Sequence, residues 1–117
     1  MFIAYVVVAA LLAALLAFSA KVKLAGDTEA AASTMSRLGL PNTWLRPLGL
    51  VEAAGALGLL AGIAYLPLGI AAGVGVVLFF IGAVTIHLRA GDRKGAASPG
   101  VLVLIAVLPA LFGLAAL

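Results

Sequence analysis

Apolar residues run along the chain in four long stretches, parted by short segments that hold proline, glycine and charge. The first, Met1 to Ala20, has no charged side chain and is rich in Leu, Val and Ala. A membrane-spanning helix needs roughly 20 apolar residues, and the pattern supplies that length four times. It predicts spans over about 2–23, 47–65, 67–89 and 99–116. No basic segment precedes the first stretch, so it reads as a retained helix rather than a secretory signal. Pro47, Pro67 and Pro99 stand where first helical residues are expected, a position whose N–H needs no partner. Ser98 would cap the last span. Tyr65-Leu66-Pro67 leaves room only for a tight turn, making the second and third spans antiparallel neighbours. Pro109, inside the fourth span, frees the carbonyl of Ile105 and predicts a bend.

The main hydrophilic interruption predicts a further element. Leu24, Ala31, Met35 and Leu38 recur at helical spacing, while Ser33, Thr34, Ser36 and Arg37 are polar. This is the pattern of an amphipathic helix over about 27–38, lying at the interface or across the bundle mouth. Asp27 would cap it, with Glu29 in its first turn. Gly39 and Pro41-Asn42 would stop it, and Trp44 is placed as a headgroup-level anchor. The expected architecture is therefore all-α. It is an antiparallel four-helix transmembrane bundle with a short amphipathic helix in its first cytoplasmic loop, one domain over residues 1–117.

Composition agrees and narrows the function classes. Hydrophobic residues form 66% of the 117-residue chain and charged ones 9%, with a mean hydropathy of +1.33. A soluble domain of that size cannot bury so much apolar surface. Without cysteine, disulfides, thiolate metal sites and cysteine redox chemistry are excluded. One histidine is too few for bis-histidine haem or for structural zinc. No phosphate loop, nucleotide fingerprint or nucleophile elbow is present. The net charge of +3 comes from seven basic residues that flank apolar segments, which marks membrane topology rather than nucleic-acid binding. Lys21, Lys23, Arg37 and Arg46 fall in the first loop and Arg89, Arg93 and Lys94 in the third. The positive-inside rule places those loops in the cytoplasm and both termini outside an inner membrane. Tyr5 and Tyr65 would then mark the outer interface.

Two ionisable groups stand at the spans themselves. Glu52 lies one turn inside the second span and His87 at the end of the third, and such groups are costly in hydrocarbon. Glu52, Gly55, Leu59 and Gly62 share a helix stripe, so Glu52 is expected to face the bundle. His87 lies above Ala83, Phe80, Val76 and Gly73; Lys23 and Ser19 share a face of the first helix. In an up-down bundle Ser19, Lys23, Glu52 and His87 converge at the cytoplasmic end. They could form a ligand pocket with Glu52 and His87 as an acid–base pair. They could equally form a structural polar lock, because each also complements a helix dipole. Gly58/Gly62 and Gly69/Gly73 read as packing devices within the bundle, with a dimer seam as the alternative.

Phe18-Ser19-Ala20-Lys21-Val22-Lys23-Leu24, Arg37-Leu38-Gly39-Leu40-Pro41, the run Leu48 to Leu60 around Glu52, and Gly82 to Asp92 around His87 together resemble the DoxX-like family of small bacterial membrane proteins. The likeness covers essentially the whole chain. It implies a four-helix membrane bundle, and Lys23, Glu52, His87 and Arg89 are the positions it carries over. The family is named for a subunit linked to thiosulfate:quinone oxidation, and relatives are associated with membrane oxidoreductase complexes. A similar eukaryotic branch assists receptor assembly. The resemblance thus implies a partner-binding or assembly subunit, with a quinone as the implied cofactor. The alternative is a small membrane enzyme or quinone- or lipid-binding protein, with Ser19, Lys23, Glu52, His87 and Arg89 around a hydrophobic molecule. Its partners would be the bilayer, a membrane protein or a second copy of the chain.

Overall fold

The computed structural model describes residues 1–25 and 29–117. Five α-helices follow in order: α1 (Phe2–Ala25), α2 (Glu29–Leu38), α3 (Leu45–Ala61), α4 (Leu66–Arg89) and α5 (Arg93–Ala116). A single 3-10 turn, Asn42–Trp44, leads into α3, and no strand occurs among the described residues. α1, α4, α5 and the segment Asn42–Ala61 are each long and apolar enough to cross a membrane. The longest dimension, 43 Å, matches a bilayer of about 40–45 Å with its headgroup layers. The protein is an all-α four-helix membrane bundle.

Its helices close a ring. α1 packs against α3 and α5, α3 against α4, and α4 most extensively against α5. On α1 the fully buried residues Tyr5, Ala9, Leu12 and Leu16 recur at steps of four, three and four, which aligns them on one face. They meet Ala56 and Leu59 of α3, Val76 and Phe80 of α4, and Ala106 of α5. Leu11, Leu15, Leu57, Leu78, Leu104 and Leu111 point outward, as lipid-facing positions should.

Between α3 and α4 the contact is made through small residues, because in lipid close backbone approach replaces the hydrophobic effect as the source of helix association. A Cβ on Gly58 would come within 2.7 Å of the Ala72 Cβ, and one on Gly55 within 2.9 Å of Val76. Gly62 and Gly69 face each other so closely that a Cβ on either would strike the Tyr5 hydroxyl and the other's backbone. Gly73 meets Ala110 of α5. These glycines pack within one bundle, whereas a Cβ on Gly75 or Gly82 meets nothing within 4 Å.

Several helix ends differ from expectation. α5 starts at Arg93, not near 99, because the Asp92 carboxylate accepts a bond from the Gly95 N–H at 3.0 Å and so caps the helix a turn and a half earlier. Pro99 is therefore interior and Ser98 is not the cap. α3 starts at Leu45, putting Pro47 third rather than first in the helix, where its missing N–H is still no loss. It ends at Ala61, because the next N–H groups turn to nearer carbonyls: Ile63 to Leu60 and Ala64 to Ala61. The Leu59 carbonyl thus released accepts the Tyr5 hydroxyl at 2.7 Å. Tyr5 is a buried cap for α3 rather than an interface anchor, while Tyr65 and Trp44 are exposed. The amphipathic α2 begins at Glu29, and the expected cap at Asp27 lies outside the described residues.

Candidate functional site

The end of the bundle opposite Tyr5 holds every basic side chain of the protein. There the last turns of α1 meet the first turns of α3: a Cβ on Gly49 would lie 3.0–3.2 Å from Leu24, Lys23 and the Ala20 carbonyl. This closeness sets Glu52, one turn further along α3, beside Lys23 and Ser19. The Lys23 ammonium lies 2.6 Å from Glu52 Oε1 and donates to Ser19 Oγ at 2.7 Å; the Ser19 hydroxyl donates to Glu52 Oε1 at 3.1 Å. The four-residue spacing of Ser19 and Lys23 stacks both on one face of α1, which is what closes this three-membered ring.

Glu52 is the one charged residue buried in the bundle among those described; its side chain is 1% exposed, against 25% for Lys23. A carboxylate at that depth needs a counter-charge, and the short contacts to Lys23 and Ser19 supply one. Of the stripe expected to face inward, Glu52, Leu59 and Gly62 are buried and Gly55 is half-buried against Val76.

His87 has a different partner. Its Nδ1 lies 3.0 Å from Asp92 Oδ2, and since an ionised carboxylate can only accept, Nδ1 carries the proton. Arg37 of α2 donates to the same Oδ2 at 3.4 Å, tying the amphipathic helix to the α4–α5 turn. The bond from His87, the Gly95 N–H and the Arg37 charge hold the Asp92 carboxyl below its ordinary pKa. Glu52 and His87 are not bonded to one another. Arg89 is exposed at the end of α4 and does not line the cavity described next.

Ser19, Lys23 and His87 share the wall of a cavity of about 460 Å³. Met35 and Leu38 of α2, Phe79, Phe80 and Ile86 of α4, and Pro99 and Leu102 of α5 supply most of the remaining lining. The polar groups are few: Ser19, Lys23, Thr34, His87 and Ser98. Glu52 is not part of that lining and instead borders a smaller space of about 250 Å³ between α3 and α4, beside Val51, Gly55, Val76 and Phe79. The paired Lys23 and Glu52 thus line different cavities. No group of three or more metal-ligating acidic, histidine or cysteine residues occurs among the described residues.

The sequence model of the DoxX-like family matches residues 7–109, nearly the whole chain. The chain belongs to the DoxX-like family. The match takes in Ser19, Lys23, Glu52, His87 and Asp92 and leaves out Tyr5. No curated protein and no solved structure matches this DoxX-like chain significantly.

Sequence reasoning missed Asp92 and Arg37 as parts of the site. The signal for Asp92 was Asp-Arg-Lys-Gly, an N-cap residue three positions before a glycine N–H. It was masked by the later, stronger-looking Ser98-Pro99 start. Arg37 carried no signal beyond its place on the polar face of α2.

Proposed function

We propose that this DoxX-like membrane protein takes a hydrophobic small molecule from the bilayer into the cavity beside α2 and holds it by a polar head. The cavity itself carries this reading: about 460 Å³, walled by apolar side chains, with Lys23, Ser19 and His87 among its few polar groups. Sites for small molecules run from about 300 to 1,000 Å³ and combine mostly apolar walls with few placed polar groups. In this reading Lys23, Ser19 and His87 touch the occupant, and Glu52 acts by fixing the Lys23 ammonium. Glu52 and His87 could perform acid–base chemistry only through Lys23, Ser19 or the occupant, because each is bonded to a different partner.

Purification in mild detergent followed by native mass spectrometry tests the proposal. The protein should retain a lipid-soluble molecule, and Gly82→Phe should expel it, since Gly82 lines the cavity and has open space beyond its Cα. Equal retention in the two proteins would overturn the proposal. A stoichiometric membrane protein in place of the small molecule would favour the subunit role implied by the resemblance, in an oxidoreductase or otherwise.

A further inference from the structure

The geometry points to a neutral hydroxyl, borne on a hydrocarbon body, as the head that this cavity selects. The inference rests on the cavity being a ligand site, and it follows from which hydrogen-bonding positions the protein leaves open there. A lysine ammonium has three donors. Lys23 uses one on Glu52 and one on Ser19, and the third remains on a side chain that is 25% exposed and lines the cavity. His87 gives its Nδ1 proton to Asp92 and makes no other hydrogen bond among the described residues. In the tautomer with its proton on Nδ1, the imidazole is left with one acceptor, the Nε2 lone pair. The cavity lining therefore offers one open donor and one open acceptor from these two residues.

A hydroxyl seated between the two residues would satisfy both, accepting from Lys23 and donating to His87 Nε2. The charge balance argues the same way. Lys23 is neutralised by Glu52 at 2.6 Å, and Asp92 lies between His87 and Arg37, so neither cluster presents an uncompensated charge. A carboxylate occupant would bring a second anion to an ammonium already paired and would set its oxygens against a lone pair on His87. An ammonium occupant would meet Lys23 as a like charge. An ether accepts but cannot donate, and so leaves Nε2 unpaired. The remaining basic residues, Lys21, Arg46, Arg89, Arg93 and Lys94, are exposed and outside the lining, where solvent and salt screen them.

Four probes of equal chain length separate these cases: 1-tetradecanol, its methyl ether, tetradecanoate and tetradecylamine. Each is titrated into the intact protein in lipid nanodiscs at neutral pH, and occupancy is read by native mass spectrometry. The alcohol should bind about tenfold more tightly than the ether, the difference of one satisfied hydrogen bond, and more tightly than the acid or the amine. His87→Leu should abolish the alcohol-over-ether preference. An ether that matches the alcohol on the unaltered protein, or an acid that exceeds it, overturns the inference while leaving the cavity reading intact. So does a preference that survives His87→Leu. Failure of all four probes to bind overturns the cavity reading, and this inference with it.

Discussion

The two ends of the bundle solve the same problem, how to end helices within a membrane protein, in opposite ways. At the Tyr5 end the solution is dry. One phenol hydroxyl caps the Leu59 carbonyl, and the glycines at 62 and 69 let α3 and α4 close around it. At the basic end charge is paired instead: Lys23 with Glu52 where α1 and α3 meet closely, and Asp92 with His87 and Arg37, beside a cavity. The first end is drawn tight around the Tyr5 hydroxyl by Gly62 and Gly69 and serves as a clasp. The second borders a cavity and, in the proposed reading, serves as a mouth. Close packing and open chemistry are segregated along one axis, so each can be perturbed without dismantling the other.

The largest expected effect is binary. All seven basic side chains sit at the mouth, and the excess of Lys and Arg on cytoplasmic loops predicts that the mouth faces inward with both termini outside. A reporter fused at Leu117 should behave as external; an internal signal would turn the mouth to the other side. Next in size is the ion pair. Removing one partner of a buried pair typically costs about 3–5 kcal/mol, so Lys23→Ala and Glu52→Ala should each strongly destabilise the detergent-solubilised protein. Their double mutant should lose less than the sum, because the stranded charge is gone. Strict additivity would show that the two groups are not coupled.

The clasp answers to smaller changes. Gly69→Ala puts a methyl group into the Tyr5 hydroxyl and the Gly62 backbone, and overpacking of this kind costs about 1–3 kcal/mol. Tyr5→Phe leaves the Leu59 carbonyl without its partner, a loss of about 1–3 kcal/mol. Thermal unfolding of both variants should fall while ligand retention at the mouth stays unchanged. Loss of retention would show that the two ends are not independent.

Much of this contrast could be read from the chain beforehand, for identifiable reasons. The four spans announce themselves because hydrocarbon-length apolar runs have few alternatives. The stripe Glu52, Gly55, Leu59, Gly62 turns towards the bundle, with Gly55 half-buried, because helical periodicity and glycine placement agree. Lys23 and Ser19 lie four apart on a helix that an up-down bundle must bring beside Glu52. Tyr5 was misplaced because an amphipathic aromatic near a span end has two good positions, headgroup layer or buried cap. Only the diverted Ile63 N–H, a tertiary detail, selects the second. The partner of His87 was missed for a related reason: Asp92 joins it only because α5 begins at Arg93, so an error in one helix start concealed an ion pair.

That pair gives the smallest and most conditional effect. The Asp92 carboxyl titrates below its ordinary value of 3.8, chiefly through the bond from His87 and then the Gly95 N–H. A group whose folded pKa is depressed contributes stability that is fully present above the unfolded value and is lost as pH falls through the folded one. Asp92→Asn removes the charge while keeping an acceptor for Gly95, so it should lower the unfolding temperature slightly at neutral pH. The gap between the two proteins should begin to close as pH falls below about 4, the unfolded value, and vanish only once the folded carboxyl, which titrates lower, is also neutral. Opposite behaviour, a gap that widens on acidification, would mean that Asp92 is held in the neutral form and that His87 does not donate to it. Because Arg37 reaches the same carboxylate from α2, the substitution should also speed proteolysis or hydrogen exchange in Glu29–Leu38. A response confined to the α4–α5 turn would show that the Arg37 contact does not secure the wall of the mouth.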